Sequence, residues 1–138
     1  MALALLSAAI REAPPLQQVV HGPITFVARC ERHGETYFGR AFVGYVPTGA
    51  RLGPSALIRM VRQATRTHDG RIAARIASML EVCVRPAGIA TLIAASHHCA
   101  GLRVVFEDGL EQRTAWRGRY EDDASLRAEF LTICASAR

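Results

Sequence analysis

Ile24-Thr25-Phe26-Val27-Ala28-Arg29-Cys30-Glu31-Arg32-His33-Gly34-Glu35-Thr36-Tyr37-Phe38-Gly39-Arg40-Ala41-Phe42-Val43-Gly44-Tyr45-Val46 decides the fold. Its first six residues are β-branched or aromatic in the main and follow Gly22-Pro23, which reads as a strand after a breaker. Gly34-Glu35-Thr36 reads as a turn. Residues 37–46 alternate loosely, with Phe38, Arg40 and Phe42 on one side and Val43 and Tyr45 on the other, and stop at Pro47-Thr48-Gly49, a turn signal. Two such runs around a short connection predict an antiparallel hairpin, with Cys30 and His33 at its tip.

Working outward, Ser55 has the chemistry of an N-cap, and Leu57, Met60, Val61 and Ala64 follow at helical spacing. Arg59, Arg62 and Arg66 fall on the other side of that helix. After Gly70, the residues Ile72, Ile76, Met79, Leu80 and Cys83 mark a second helix, stopped by Arg85-Pro86-Ala87-Gly88. An apolar strand over 89–95 delivers His97 and Cys99. A turn at Glu107-Asp108-Gly109 separates a strand over 102–106 from a final strand over 113–120. Asp122 or Asp123 caps a last helix through Leu126, Phe130, Leu131 and Ile133. The order is hairpin, two helices, hairpin, helix, which predicts an α+β fold with an antiparallel sheet. His21 and His68 are placed in loops, and Cys83 and Cys134 on apolar helix faces as core residues.

The 138 residues suffice for one domain with a real core. Half are hydrophobic and 21% charged, a globular composition. The opening Met1–Ile10 segment is apolar but has no basic lead and falls short of the ~20 residues a membrane span needs. It reads as a short helix stopped by Pro14-Pro15. No membrane partner is expected. Four cysteines, unevenly spaced and without a secretory signal, fit a reduced, cytoplasmic setting better than a disulfide scaffold. The net charge is +5, and all 17 cations are arginines, since lysine is absent. Arginine keeps its proton and pairs bidentately with carboxylate or phosphate, so the balance suits a phosphorylated small molecule. With nine aromatics and no basic–aromatic interleaving, nucleic acid is not an expected partner.

Cys30, His33 and Cys99 are the donor types that zinc takes, and three protein ligands leave a fourth position for water. His97 stands two residues before Cys99, and residues two apart on an extended backbone share a face. The set reads as a metal with an acid/base beside it. Spacing alone leaves the plainer reading open, in which the cysteines are buried apolar residues and the histidines lie on the surface.

Several separated motifs together resemble the GTP cyclohydrolase I family. They are Phe26-Val27-Ala28-Arg29-Cys30-Glu31-Arg32-His33, Phe38-Gly39-Arg40-Ala41-Phe42-Val43-Gly44-Tyr45-Val46-Pro47, Leu52-Gly53-Pro54-Ser55, Ala94-Ala95-Ser96-His97-His98-Cys99 with Arg103, and Arg117-Gly118-Arg119-Tyr120 with Arg127-Ala128-Glu129-Phe130-Leu131. The resemblance implies the tunnelling fold (T-fold): an antiparallel β-sheet with two helices packed on one face, oligomerising into a ring or barrel. It implies a single domain over 1–138, with a short helix and lead-in over 1–22 and the T-fold core over 23–134. It also implies a homo-oligomer, commonly two stacked pentamers forming a decamer, with active sites between subunits. Closing the ring would cover sheet edges that are otherwise exposed.

Carried over by position, the resemblance implies Cys30, His33 and Cys99 as zinc ligands and His97 as the acid/base. It implies Ser55 as a substrate contact, and Arg59 and Arg103 as phosphate contacts. The chain also departs from the pattern. Arg32 stands for the first histidine of the family's pair, Ala56 for its lysine, and Gly70 for the glutamate that clamps guanine. Asp69 is adjacent and is a candidate for that clamp; otherwise it is a turn residue. Arg32 would pair with an anionic group of the substrate. The implied activity is a zinc-dependent hydrolase that opens and deformylates the imidazole ring of a purine-type substrate, GTP or a related heterocycle, with zinc lowering the pKa of its water toward ~7 and His97 moving the proton. The alternative is a degenerate zinc-binding paralogue with a binding or regulatory role and no turnover.

Overall fold

The computed structural model describes residues 17–29, 36–66, 71–96 and 110–137. Four strands form one antiparallel sheet in the order β1-β2-β3-β4: β1 (Val19–Arg29), β2 (Thr36–Val46), β3 (Gly88–Ser96) and β4 (Leu110–Gly118). Helices α1 (Pro54–Ala64) and α2 (Ile72–Val84) lie between β2 and β3, and α3 (Arg119–Asp122) and α4 (Ala124–Ser136) close the described chain. The expected hairpin is β1 against β2, with Val27 opposite Phe38 and Arg29 opposite Thr36. The expected short strand over 102–106, its turn over 107–109, the N-terminal helix and His68 lie outside the described residues.

Val46 pairs with Gly88, so the chain leaves and re-enters the sheet at one end. The helix pair between them runs out and back. At that end the backbone N–H of Leu52 donates to Tyr45 Oη at 3.0 Å, and Thr48 Oγ1 donates to the Arg85 carbonyl at 3.0 Å. The two helices cover one face of the sheet. Leu57, Val61, Ile76 and Leu80 pack on Ile24, Phe26, Ala41, Val43, Tyr45, Ile89 and Ile93, which alternate with outward residues along the strands. Phe26 lies across Gly39, where a side chain would meet its ring at 2.3 Å.

The last helix covers the opposite face. Leu126, Phe130 and Cys134 recur every four residues and meet Phe42, Val46, Ala90 and Leu92. Asp123, one of the two expected caps, accepts a hydrogen bond from the Leu126 N–H at 3.0 Å. Among the described residues, α4 covers the half of this face near Val46. Toward Arg29 and Thr36, Val27 and Phe38 stay 56% and 58% exposed.

Several expectations are corrected. β1 begins at Val19, so His21 is a strand residue and not in a loop. The strand passes Gly22-Pro23 through a register irregularity between His21 and Ile24, which an edge strand tolerates because the missing proline N–H faces no neighbour. Ser55 is not the N-cap of α1. Gly53 is, because Pro54 takes the first helical position, where its fixed φ fits and its missing N–H costs nothing. Cys83 is exposed, while Cys134 is buried as expected. Leu131 and Ile133 lie off the buried stripe of α4, and Tyr120 belongs to α3, not to β4.

Tyr120 is fully buried and stacks beside Trp116 and edge-on to Phe130. Its hydroxyl donates to Gln18 Oε1 at 2.7 Å. Burial, with Glu129 and Cys134 nearby, pushes its phenol above the usual range. The sign follows from linkage. Below pH ~10 the phenol is neutral in both states and folding is unaffected by it. As pH rises past ~10 the unfolded chain loses this proton and the native state does not, so stability falls. Tyr120→Phe is therefore expected to lose less stability than the wild type between pH 9 and 11 in urea titrations. Parallel curves for the two proteins would refute this assignment.

Candidate functional site

Two register facts locate the end of the sheet from which the chemistry-bearing segments leave. Arg29, the last residue of β1, pairs with Thr36. Ser96, the last residue of β3, pairs with Phe38 on the same central strand. The two strand ends are therefore two strand spacings and two residues apart, about 12 Å. Cys30 is the next residue after one of them and His97 the next after the other. Cys30, Arg32, His33, Asp69, His97, Cys99 and Arg103 themselves lie outside the described residues. Among the described residues, no three His, Cys, Asp or Glu side chains are grouped as a metal site.

The end of α1 reaches this same region. Thr65 and Arg66 line a cleft with Phe26 and Gly39, and residues 67–70, which include Asp69, follow directly. Ser55 and Arg59 are not brought there. Both are exposed, and Ser55 sits in the first turn of α1, three residues past the Leu52 amide that Tyr45 holds. Tyr45 pairs with Val19 and Ile89, at the far end of the strands from Thr36. An eleven-residue helix is about 16 Å long. Within one chain, Ser55 thus stands at the opposite end of α1 from the sheet end that leads to Cys30 and His97, and Arg59 stands midway along the helix.

The cleft has a volume of about 640 Å³. Arg40 from β2 and Arg62 and Arg66 from α1 line it, with Thr25 and Thr65 as hydroxyls and Phe38 as an exposed apolar wall. Among the described residues, no carboxylate lines it. In the sequence Arg62 and Arg66 show only as the polar side of a helix, and Arg40 only as one residue of an alternating strand. Spacing within one element cannot reveal that a strand arginine and two helix arginines share a cleft. Among the described residues, no helix is long and apolar enough to cross a membrane.

The family model for GTP cyclohydrolase I matches residues 4–135. The GTP cyclohydrolase 1 of Halalkalibacterium halodurans is 36% identical over 114 residues, covering 80% of this chain and 61% of that protein. That of Brevibacillus brevis is 35% identical over 121 residues, covering 85% and 65%. That of Methylococcus capsulatus is 30% identical over 132 residues, covering 94% and 71%. The chain thus spans roughly three fifths to seven tenths of these relatives' length. Among solved structures, an archaeosine synthase QueF-Like in the apo form superposes with a TM-score of 0.58 at 16% identity, covering 78% of this chain and 97% of that one. Dihydroneopterin aldolase of E. coli in complex with neopterin gives 0.58 at 7% identity, covering 75% and 100%. These two likenesses bear on the fold alone: the antiparallel four-stranded sheet with two helices on one face is the tunnelling fold expected from the sequence.

Proposed function

Because the chain belongs to the GTP cyclohydrolase I family, we propose that it is a zinc-dependent hydrolase that opens and deformylates the imidazole ring of GTP or a closely related purine. The observation that carries this reading is the register: β1 and β3 end on the same side of the sheet, about 12 Å apart. Cys30 follows β1 directly. Cys99 is three residues beyond Ser96, and three residues of extended chain reach ~10 Å. The two thiolates are therefore within reach of one ion. With the imidazole of His33 they form a three-ligand donor set that suits zinc and leaves one position open. When bound, zinc supplies Lewis acidity, which brings the acidity of water near neutrality.

The other roles fall to side chains. His97 gives a proton to the ring nitrogen that departs as the imidazole opens, the step in which an imidazole of near-neutral pKa is most useful. Arg32 cannot exchange protons and holds an anionic group instead. Asp69 offers its carboxylate to the donor edge of the base. Arg103 pairs with phosphate. Ser55, at the start of α1, and Arg59, one turn further along it, serve the site of a neighbouring copy, which calls for a homo-oligomer with sites between subunits. A ring of pentamers stacked as a decamer meets that need and covers the edge strands β1 and β4. A compartment of the cytoplasmic kind suits two ligating thiolates.

Zinc-loaded protein incubated with GTP is expected to bleach the purine absorbance and release formate. His97→Ala is expected to lower that rate by ~10²–10⁴-fold with zinc content unchanged. Full zinc occupancy with no reaction on GTP, other purine nucleotides or free purines would count against a hydrolase and for a binding protein.

A further inference from the structure

Val27 and Phe38 are cross-strand partners on the sheet face opposite α1 and α2, and both are more than half exposed. Strand alternation puts Thr25, Arg29, Arg40 and Ala94 around them on that face. The chain enters β1 from the same side. Gln18 Oε1 accepts from the Tyr120 hydroxyl at 2.7 Å, and Gln18 Nε2 donates to Glu129 Oε1 of α4 at 2.8 Å. Residues 1–16 precede that anchored point. Met1–Ile10 carries no charged side chain, Ser7 is its one polar residue, and Leu3, Leu6 and Ile10 recur at helical spacing. The lengths match. From Val19 to Val27 the strand runs about 27 Å. Residues 11–17, drawn out by Pro14-Pro15, span up to ~25 Å, and ten residues of helix add ~15 Å. A second copy suits the patch less well. A self-complementary contact would set Arg29 and Arg40 near their own counterparts, and among the described strand residues of this half-face no carboxylate offsets them.

We propose that Met1–Ile10 docks as an apolar strap over Val27 and Phe38 of its own chain, with Leu3, Leu6 and Ile10 turned to the sheet. Covering the pair removes apolar surface from water, and the segment brings no charge to bury. Arg29 and Arg40 have stems long enough to keep their guanidinium groups in water at the rim. The strap walls the β1 side of the sheet end from which Cys30 leaves. It rests on the fold and on the composition of the segment, and stands or falls apart from the hydrolase reading.

The test follows release of the 1–11 peptide from the intact protein by trypsin, which cuts after Arg11. Cleavage there tracks the undocked population. Leu6→Asp and Phe38→Asp are each expected to speed that release at least about tenfold over the wild type. The double variant L6D/F38D is expected to go little further than either alone, because both break one contact. Val82→Asp, at an exposed apolar residue of α2 on the other side of the sheet, is the control and is expected to match the wild type. A thermal melt verifies folding; if F38D melts early, Val27→Asp gives the same reading from β1. In a second measurement p-benzoylphenylalanine takes the place of Phe38 in a mixture of isotopically light and heavy chains. Irradiation is expected to link it to residues 1–11 of the same chain. Release from the wild type as fast as from L6D overturns the strap. So does a link to another chain, a link to residues 30–35 or 97–109, or no link at all. None of these readings involves zinc or GTP, so failure of the strap leaves the hydrolase reading untouched, and the reverse holds.

Discussion

Cys99→Ala is expected to leave the purified protein without stoichiometric zinc and to lower GTP turnover roughly 10³-fold or more. The argument is one of ligand number. A three-ligand centre with an open position has no spare donor, so losing one thiolate leaves two ligands on an ion that prefers four. Cys30→Ala is expected to behave in the same way, because the proposed site takes its second thiolate from there. The two other cysteines make the experiment specific. Cys83 is exposed on α2 and Cys134 is buried on the inner side of α4, both in elements apart from the β1 and β3 ends. Cys83→Ala should keep zinc and turnover at wild-type levels. Elemental analysis and a formate assay on the same samples decide the matter: a C99A protein that retains one zinc per chain removes Cys99 from the ligand set, and with it the proposed site.

The hairpin, the helix pair and the apolar strand of β3 were legible because each carries its own period. Residues 37–46 end at a proline turn, α2 buries Ile72, Ile76 and Leu80 at helical spacing, and β3 is a continuous apolar run. What the sequence hid has specific causes. Apolar residues outnumber buried positions at the end of α2, so periodicity assigned Cys83 to the core although Val84 is the residue that turns inward. At the start of α1 two residues compete, and the backbone geometry of Pro54 outweighs the capping chemistry of Ser55. The stripe Leu126, Phe130, Cys134 is visible in the sequence. That it covers the face opposite α1 and α2 is not, because a stripe does not say which side of a sheet it meets.

The candidate site divides along the same line. Motif resemblance named Cys30, His33, His97 and Cys99. Only the strand register brings the ends leading to Cys30 and His97 to one side of the sheet, and only the course of α1 separates Ser55 from it. Arg40 and Arg62 are 22 positions apart in sequence and share a cleft because β1 and β2 pair beside α1. Such convergence is a property of packing, and no local pattern encodes it.

Gly118→Ala is expected to destabilise the protein by about 3 kcal/mol or more and to lower its melting temperature by roughly 10 °C. Gly118 closes β4 opposite Gly88, where the chain turns into α3 with φ 60° and ψ −127°, a region that residues with a β-carbon rarely enter. A β-carbon there would sit 2.3 Å from the Ala87 carbonyl oxygen and 3.1 Å from Gly88 Cα, both backbone atoms that cannot swing aside. The Arg119 N–H donates to that same carbonyl at 3.0 Å, so relieving the clash disturbs the bond that fixes the start of α3. Tyr120 follows at once, and its ring anchors the second core against Trp116 and Phe130. The effect should therefore reach from one backbone atom to the packing of α4. Gly53→Ala is the matched control. Its φ of −70° is ordinary and open space surrounds the position. As an N-cap exchange it should cost only ~0.5–1 kcal/mol. Thermal and urea melts of the two variants separate backbone need from a general loss of glycine; should G118A melt within a few degrees of G53A, the corner between β4 and α3 is not the constraint it is taken to be.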